Sequence, residues 1–488
     1  MPKSTLKICL VRASLGSSFA VSPPLSLGYL SSALKANGYE QVSFLDCART
    51  GLNPQQATDR ITQQIRPDIV GIQVYTGSHA WTKAFIADLK KRSQKTVTVV
   101  GGPHITALKE MALDYLEADF GVIGEGEDAL IELLKYVEGA IADPADVTGL
   151  LYKKAGRYVQ ASKGVGFLKD IDRLPYPDWS LLRPKLYFDS LESATMPLKG
   201  QKAAIMLSSR GCPYRCSFCA SGLINKSRIR FRAPENIINE MKFLKSTYGV
   251  DEIMFTDDNL TMDLKRAETI FDLMAQEKLN LFWRAPNGIR IDRLNKQLIE
   301  KMAASGCYSV GVGIETGNAE IMQRIKKNLD LTKVKKAVKL LQKNNIAVSG
   351  FFMCGMLGET AKEIEDSINF ACSVPFARIQ VSNFTPYPGS ADFLEIFNHT
   401  NKDKYRRYVM RFQEKGIIPP HPEMLPMKTA IGLQRKFILK FYLRPALIFS
   451  MLSGLTLKQL KAIFKHPMIR RMLGFKADLY SKPTSRNE

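Results

Sequence analysis

Cysteine is sparse in this chain: eight among 488 residues are too few to staple so long a fold, so a disulfide framework is excluded and a reducing compartment is expected. Long apolar runs are missing too. The most apolar stretch, 437–456, is interrupted by Lys440, Arg444 and Pro445 and makes a poor spanning helix. After Met1 no basic segment leads into an apolar run with a small-residue cleavage site, so a secretion signal is not expected and the location read from the sequence is cytoplasmic. No internal repeat or low-complexity run is present. What remains, 45% hydrophobic and 24% charged residues, is an ordinary globular composition, long enough for about three domains.

The net charge of +22 is uneven, because residues 401–488 hold 19 Lys and Arg against 5 Asp and Glu. Within this basic tail Arg435, Lys436, Lys440 and Arg444 interleave with Phe437, Phe441 and Tyr442. Two readings follow. The segment meets anionic lipid headgroups or an acidic substrate, giving a peripheral membrane association, or it is a helical cap whose apolar face covers the rest of the fold. No base-reading motif accompanies the charge, so specific nucleic-acid binding is not expected.

Residues 1–140 alternate short apolar runs with helix-length amphipathic stretches. Lys7–Val11, Val42–Asp46, Ile69–Tyr75, Thr96–Val100 and Phe120–Ile123 read as strands of a doubly wound parallel sheet. The strand ends carry polar or glycine residues, Asp46, Gly71, Gly101-Gly102 and Gly124-Glu125-Gly126, and the carboxyl ends of such strands are where ligands bind. Residues 141–200 lose the rhythm around Leu174-Pro175-Tyr176-Pro177-Asp178-Trp179 and read as a linker across a domain junction. From 201 to 395 the alternation resumes, with strands expected at Ala203–Ser208, Glu252–Thr256, Phe282–Ala285, Ser309–Ile314, Ala347–Met353 and Arg378–Phe384, a complete or partial barrel. Residues 396–488 carry helix-compatible basic segments such as Thr456-Leu457-Lys458-Gln459-Leu460, with capping-box spacing. The fold class is α/β: a Rossmann-like domain, a partial (β/α)6 barrel and a helical extension.

The strongest chemical signal is Cys212-Pro213-Tyr214-Arg215-Cys216-Ser217-Phe218-Cys219, a C-x3-C-x2-C run just after the first barrel strand. Three thiolates can hold three irons of a cubic four-iron cluster and leave one iron open, whereas electron-transfer clusters of this type usually have four cysteine ligands. A zinc site needs a fourth ligand, yet no histidine lies between His104 and His399. Three buried apolar cysteines are a poor reading for a loop that also holds Pro213, Arg215 and Ser217. Cys307, Cys354 and Cys372 sit in apolar or strand-like contexts and are left out of the site.

With this loop the chain resembles the radical S-adenosylmethionine (SAM) superfamily, and three further segments fall where that family has its supporting positions. These are Phe255-Thr256-Asp257-Asp258-Asn259, Gly311-Val312-Gly313-Ile314-Glu315-Thr316-Gly317, and Gly350–Gly355 leading to Gly358-Glu359-Thr360. The resemblance implies a 4Fe-4S cluster on Cys212, Cys216 and Cys219, shaped by Arg210 and Gly211, and SAM as cosubstrate. It further implies Asp257 and Asp258 near the SAM amino group, Glu315 near its ribose, the backbone around Gly355 near its adenine, and an external electron donor such as flavodoxin or ferredoxin. Without the cysteine loop, Asp257 and Asp258 read equally as a solvated turn and Glu315 as a strand-end ion pair.

The first domain resembles cobalamin-binding domains, which carry Asp-x-His-x-x-Gly, then Ser-x-Leu and Gly-Gly. Asp46 and Gly51 keep two of these positions, Ala48 stands where the histidine would be, Gln73-Val74-Tyr75 takes the Ser-x-Leu place, and Gly101-Gly102 follows. Cobalamin is therefore expected, without a protein histidine beneath cobalt. The order of domains resembles the family of anaerobic Mg-protoporphyrin ester cyclases and hopanoid and bacteriochlorophyll side-chain methylases. A scaffold domain for another ligand is the plainer alternative, and His104 reads as a pocket residue or a satisfied surface histidine.

The resemblance points to methyl transfer onto an unactivated carbon of a small molecule, lipid or tetrapyrrole, amphipathic or acidic in character. Oxidative cyclisation on the same scaffold is one rival, and a noncatalytic cobalamin or redox sensor another.

Overall fold

The computed structural model describes residues 4–15, 22–188, 198–397, 408, 421–445 and 447. Two sheets organise them. In the first, β1 (Ile8–Arg12), β2 (Val42–Asp46), β3 (Ile69–Gln73), β4 (Val97–Gly101) and β5 (Phe120–Val122) run parallel in the order β2-β1-β3-β4-β5. The apolar runs of β1, β3 and β4 are buried on both faces, as a sheet covered by helices requires, while Val42 and Phe44 of the edge strand β2 are half-buried.

The sheet does not end there. β6 (Leu150–Lys154) and β7 (Arg157–Gln160) add an antiparallel hairpin, giving seven strands and carrying the first domain past the boundary expected at 140. Its two-residue turn is Ala155-Gly156, both at positive φ (49° and 79°), the backbone that suits a tight hairpin. The Asp178-Trp179 stretch of the expected linker packs against both domains. Asp178 accepts from Ser31 Oγ (2.7 Å) and Lys35 Nζ (2.6 Å) on the first, while Trp179 Nε1 donates to Glu240 on the second (2.9 Å).

The second sheet has six parallel strands in chain order: β8 (Ala203–Met206), β11 (Glu252–Phe255), β12 (Phe282–Ala285), β13 (Cys307–Glu315), β14 (Ala347–Cys354) and β15 (Arg378–Asn383). Between β8 and β11, the short β9 (Ser209–Arg210) and β10 (Arg230–Phe231) pair antiparallel, with Arg210 opposite Arg230. The barrel is partial, since β8 and β15 are the edges of the sheet.

The two domains are fused through shared cores. Ile321, Ile325, Met356, Leu357 and Phe393 of the second join the cluster built on Val11, Val70 and Phe85 of the first. Burial on this scale is the main force holding the carboxyl ends of the two sheets together.

The helix Met427–Tyr442 lies against β14, β15 and the helix Ala361–Ser373. Phe437 and Phe441 are fully buried there, Gln434 Nε2 donates to Val381 O (2.6 Å), and Lys436 and Lys440 both pair with Glu365. For these residues the cap reading describes the packing, and the two phenylalanines face the barrel. The expected 456–460 helix start lies outside the described residues, and no helix among them is long and apolar enough to cross a membrane.

Candidate functional site

The cysteine loop leaves β9 at Gly211, whose φ of +94° and close surroundings admit no side chain: a Cβ would fall 2.2 Å from Arg228 O. The loop is then pinned at several points. Ser217 N donates to Ile325 O (3.0 Å), Asp392 N to Ser217 O (3.0 Å), and the Arg290 guanidinium lies 4.4 Å from the Tyr214 ring centre. Cys212, Cys216 and Cys219 all line one cavity of about 850 Å³ inside the barrel mouth. Burial pushes the Cys212 thiol up to about 11, against a lowering hydrogen bond from the Tyr214 backbone, and burial raises Cys216 and Cys219 as well. Metal coordination is what would remove those protons.

Among the described residues, no three His, Cys, Asp or Glu side chains are grouped to hold a single metal ion. Three cysteine thiols lining one cavity, with no histidine among that lining, are a donor set that suits a cluster of several irons. Cys307 and Cys354 are buried away from it.

The neighbouring Asp257 and Asp258 part company at the end of β11. Asp257 is 1% exposed and accepts from Ser208 N, from Ser208 Oγ (2.7 Å) and from Ser209 Oγ, so it braces the strand that leads into the cysteine loop. Burial raises its pKa in spite of those donors. It is not among the residues that line the cysteine cavity, and its contacts are those of a strand brace. Asp258 does face the cavity, holding Ser221 Oγ at 2.7 Å.

Glu315 also faces it. At φ +68°, beside an irregularity in the β13–β14 ladder, it meets Lys327 Nζ at 2.7 Å. Lys327 escaped the sequence reading altogether. Burial opposes its charge, but Glu315 and the nearby Cys216 outweigh that and hold its ammonium above the usual lysine range. Nothing in the run Arg324-Ile325-Lys326-Lys327 marks it, because the loop after the helix Ala319–Arg324 is what returns it to β13.

Gly355, expected near adenine, has φ +82° and abuts Ala430 of the C-terminal helix; its N–H and that of Met356 donate to Glu359 Oε2 (2.7 and 3.1 Å). It shapes the turn after β14 but does not itself line the cavity.

A second cavity, of about 450 Å³, lies at the carboxyl ends of the first sheet, lined by Gly71, Gln73, Gly101, Gly102, Gly124 and Glu125. Gly102 has φ +103°, with a Cβ position 3.1 Å from Val74 O, so glycine is required for the backbone to turn there. Gln73 donates to Ser26 Oγ (2.6 Å), while its Oε1 is buried without a partner. An orphaned acceptor beside a glycine floor fits a large ligand rich in amide donors.

Asp46 and Gly51 lie elsewhere. Asp46 caps the short helix Cys47–Thr50 through Arg49 N (2.9 Å) and accepts from the Tyr187 hydroxyl; Gly51 ends that helix at φ +70° with nothing within 4 Å of its Cβ position. Neither lines the glycine-floored cavity, and their contacts are those of helix capping, which uses the same residue types. His104 is neither pocket nor surface: it is 1% exposed and stacked on His79, and burial followed by that neighbour holds its pKa down at about 3.

The two cavities meet, because Thr256 and Asp258 line both. The cysteine cavity and the glycine-floored cavity are thus adjoining chambers between the two sheets.

Comparison with known proteins agrees with this layout. The B12 binding domain family matches residues 11–134 and the Radical SAM superfamily residues 206–371. An uncharacterized methyltransferase of Pyrococcus horikoshii is 30% identical, over 91% of this chain and 90% of its own. Cytidylyl-2-hydroxyethylphosphonate methyltransferase of Streptomyces wedmorensis is 26% identical, over 81% and 82%. The anaerobic magnesium-protoporphyrin IX monomethyl ester cyclase of Rubrivivax gelatinosus is also 26% identical, over 79% of this chain and 68% of the cyclase. Among solved structures, the radical SAM methyltransferase TsrM of Kitasatospora setae, with cobalamin and a 4Fe-4S cluster bound, shares the fold at TM-score 0.67 and 17% identity, over 82% of this chain and 78% of its own.

Proposed function

Because this chain belongs to the radical SAM superfamily, in the branch that carries a B12-binding domain, we propose that it transfers a methyl group to an unactivated carbon of a small molecule. Its cofactors are a 4Fe-4S cluster, SAM and cobalamin. When bound, they supply a radical able to abstract hydrogen and a transferable methyl group. The observation that carries the reading is that Thr256 and Asp258 line both chambers, which sets the place for the cluster and the place for cobalamin side by side.

The protein's part is binding and orientation. Cys212, Cys216 and Cys219 would hold the cluster; Asp258 would accept from the SAM amino group and Glu315 from its ribose hydroxyls, with Lys327 balancing the Glu315 charge. Gln73, Gly101 and Gly102 seat cobalamin. Phe351, Phe384 and Tyr387 line the larger chamber and suit a substrate with apolar surface, of lipid or tetrapyrrole kind. An external flavodoxin or ferredoxin supplies the electron. An amphipathic, acidic substrate and a peripheral membrane contact rest on the charge of residues 401–488 alone, since Lys436 and Lys440 are paired with Glu365.

Oxidative cyclisation is the second reading, favoured by the similarity to the Rubrivivax gelatinosus cyclase. Mass spectrometry separates the two, using anaerobically reconstituted protein with hydroxocobalamin, SAM and a reductant, wild type against Cys216→Ala. Methyl transfer gives 5′-deoxyadenosine and S-adenosylhomocysteine, the first lost in the variant and the second dependent on cobalamin. Deoxyadenosine without S-adenosylhomocysteine would instead favour cyclisation, and neither product, in verified cluster-loaded protein, would leave the noncatalytic sensor or an absent obligatory substrate.

A further inference from the structure

The loop that carries the three cysteines, residues 211–229, is closed at its base by β9 and β10, where Arg210 and Arg230 stand opposite one another. Both stems are gripped from the other domain. Glu125 receives Arg210 on one oxygen (3.2 Å) and Arg230 on the other (2.6 Å), and Glu127 receives the second arm of Arg210 (2.8 Å). All four side chains are at most 15% exposed. The grip is built out further by Arg230 NH1 to Leu168 O (2.7 Å), Leu168 N to Glu125 (2.8 Å) and Arg230 over the Phe167 ring at 3.9 Å.

Glu125 and Glu127 belong to the turn Gly124-Glu125-Gly126-Glu127 that follows β5, and all four residues line the glycine-floored chamber. Arg210, Gly211 and Asn225, from the cysteine loop and its stem, line it too, and Asn225 Oδ1 accepts from Arg230 NH2 (3.0 Å). One set of buried ion pairs therefore forms part of the wall of one cofactor site and the base of the other. Buried charges of this kind are held in discrete pairings, and disturbing one partner is felt by the rest.

We propose that Glu125 and Glu127, through Arg210 and Arg230, couple the two cofactor sites, so that cobalamin in its chamber and the cluster in its loop each strengthen the binding of the other. Glu125, Glu127, Arg210 and Arg230 are positioning residues, acting on the cofactors through the loop and the turn. Such coupling is reciprocal by thermodynamic necessity. The inference rests on the two cofactor sites and is independent of whether the product is methylated or cyclised.

The test is a ratio. Equilibrium dialysis of hydroxocobalamin against the full-length protein, cluster-loaded and cluster-free, is expected to give a Kd about tenfold lower with the cluster present in wild type. Chelator extraction of cluster iron, with and without hydroxocobalamin, reads the same coupling from the other side. In Glu125→Gln the Kd ratio falls to about one, and in Glu127→Gln, which leaves Glu125 bridging both arginines, it takes an intermediate value. A simple structural defect weakens binding in both states and leaves the ratio alone, so the ratio isolates coupling from damage. If Glu125→Gln does not fold, Glu127→Gln and Arg210→Lys decide the matter in its place. A wild-type ratio of one, or a wild-type ratio retained in the folded variants, overturns the proposal.

Discussion

Lys327 Nζ stands 2.7 Å from Glu315 Oε1, and Glu315 takes a left-handed backbone, φ +68°, to meet it. Such a conformation costs a non-glycine residue about 1 kcal/mol or more. Gly313 makes room for the pair, since a Cβ there would lie 2.4 Å from Glu315 Oε1 and 2.7 Å from the ammonium. Without Lys327, the Glu315 carboxylate would face the cysteine thiolates uncompensated. Lys327→Met is therefore expected to weaken SAM binding to cluster-loaded protein by roughly ten- to a hundredfold, the loss of one charge-assisted interaction. Equilibrium dialysis with labelled SAM measures it, and an unchanged Kd would remove Lys327 from the site.

Three glycines give a graded prediction. Gly211→Ala forces a Cβ to 2.2 Å from Arg228 O and should cost the protein its iron, read as iron per chain after reconstitution. Gly102→Ala, with Val74 O at 3.1 Å, should lower hydroxocobalamin affinity and leave iron content intact. Gly51→Ala has only its φ of +70° to overcome, a cost of about 1 kcal/mol, and should bind both cofactors normally with a slightly lower melting temperature. Loss of cobalamin in Gly51→Ala would return that residue to the ligand set.

These glycines also mark what the sequence discloses. Each expected strand of the two parallel sheets lies within two residues of an observed one, because buried parallel strands write themselves as apolar runs. The cysteine loop is equally legible, its spacing being local. Asp46 is not, because its partner Tyr187 lies 141 residues away. Nor is the grip of Glu125 on Arg210 and Arg230, across 85 and 105 residues. Adjacent residues can also divide their roles, as Asp257 and Asp258 do, when one turns into the strand's support and the other into the cavity. The β6–β7 hairpin was hidden by its turn, where alanine holds a positive φ that sequence patterns assign to Gly, Asn or Asp.

The Asp257 and Asp258 division is itself testable. Asp257→Ala strands a buried backbone N–H and two serine hydroxyls, and is expected to destabilise the cluster-free protein by about 3 kcal/mol, seen as a lower melting temperature. Asp258→Asn should leave melting unchanged while weakening SAM binding. The reverse pattern, a stable Asp257→Ala that fails to bind SAM, would restore Asp257 to the cofactor site.

Glu359 sets a pH dependence of stability. It is 2% exposed, one oxygen receives Gly355 N and Met356 N, and the other is buried without a partner. Burial raises its pKa from 4.5 to about 7, against the two backbone donors. The folded chain then keeps a proton that the unfolded chain has already released across that interval, so this group's contribution falls as pH rises from about 4.5 to about 7 and is level above it. The full span amounts to roughly 3 kcal/mol. Glu359→Gln keeps an oxygen for the two N–H groups and carries no charge. It should match wild type near pH 5 and melt higher near pH 8, a difference that thermal scans of cluster-free protein at the two pH values would read. Parallel pH curves for wild type and variant would mean that Glu359 titrates normally in the folded state.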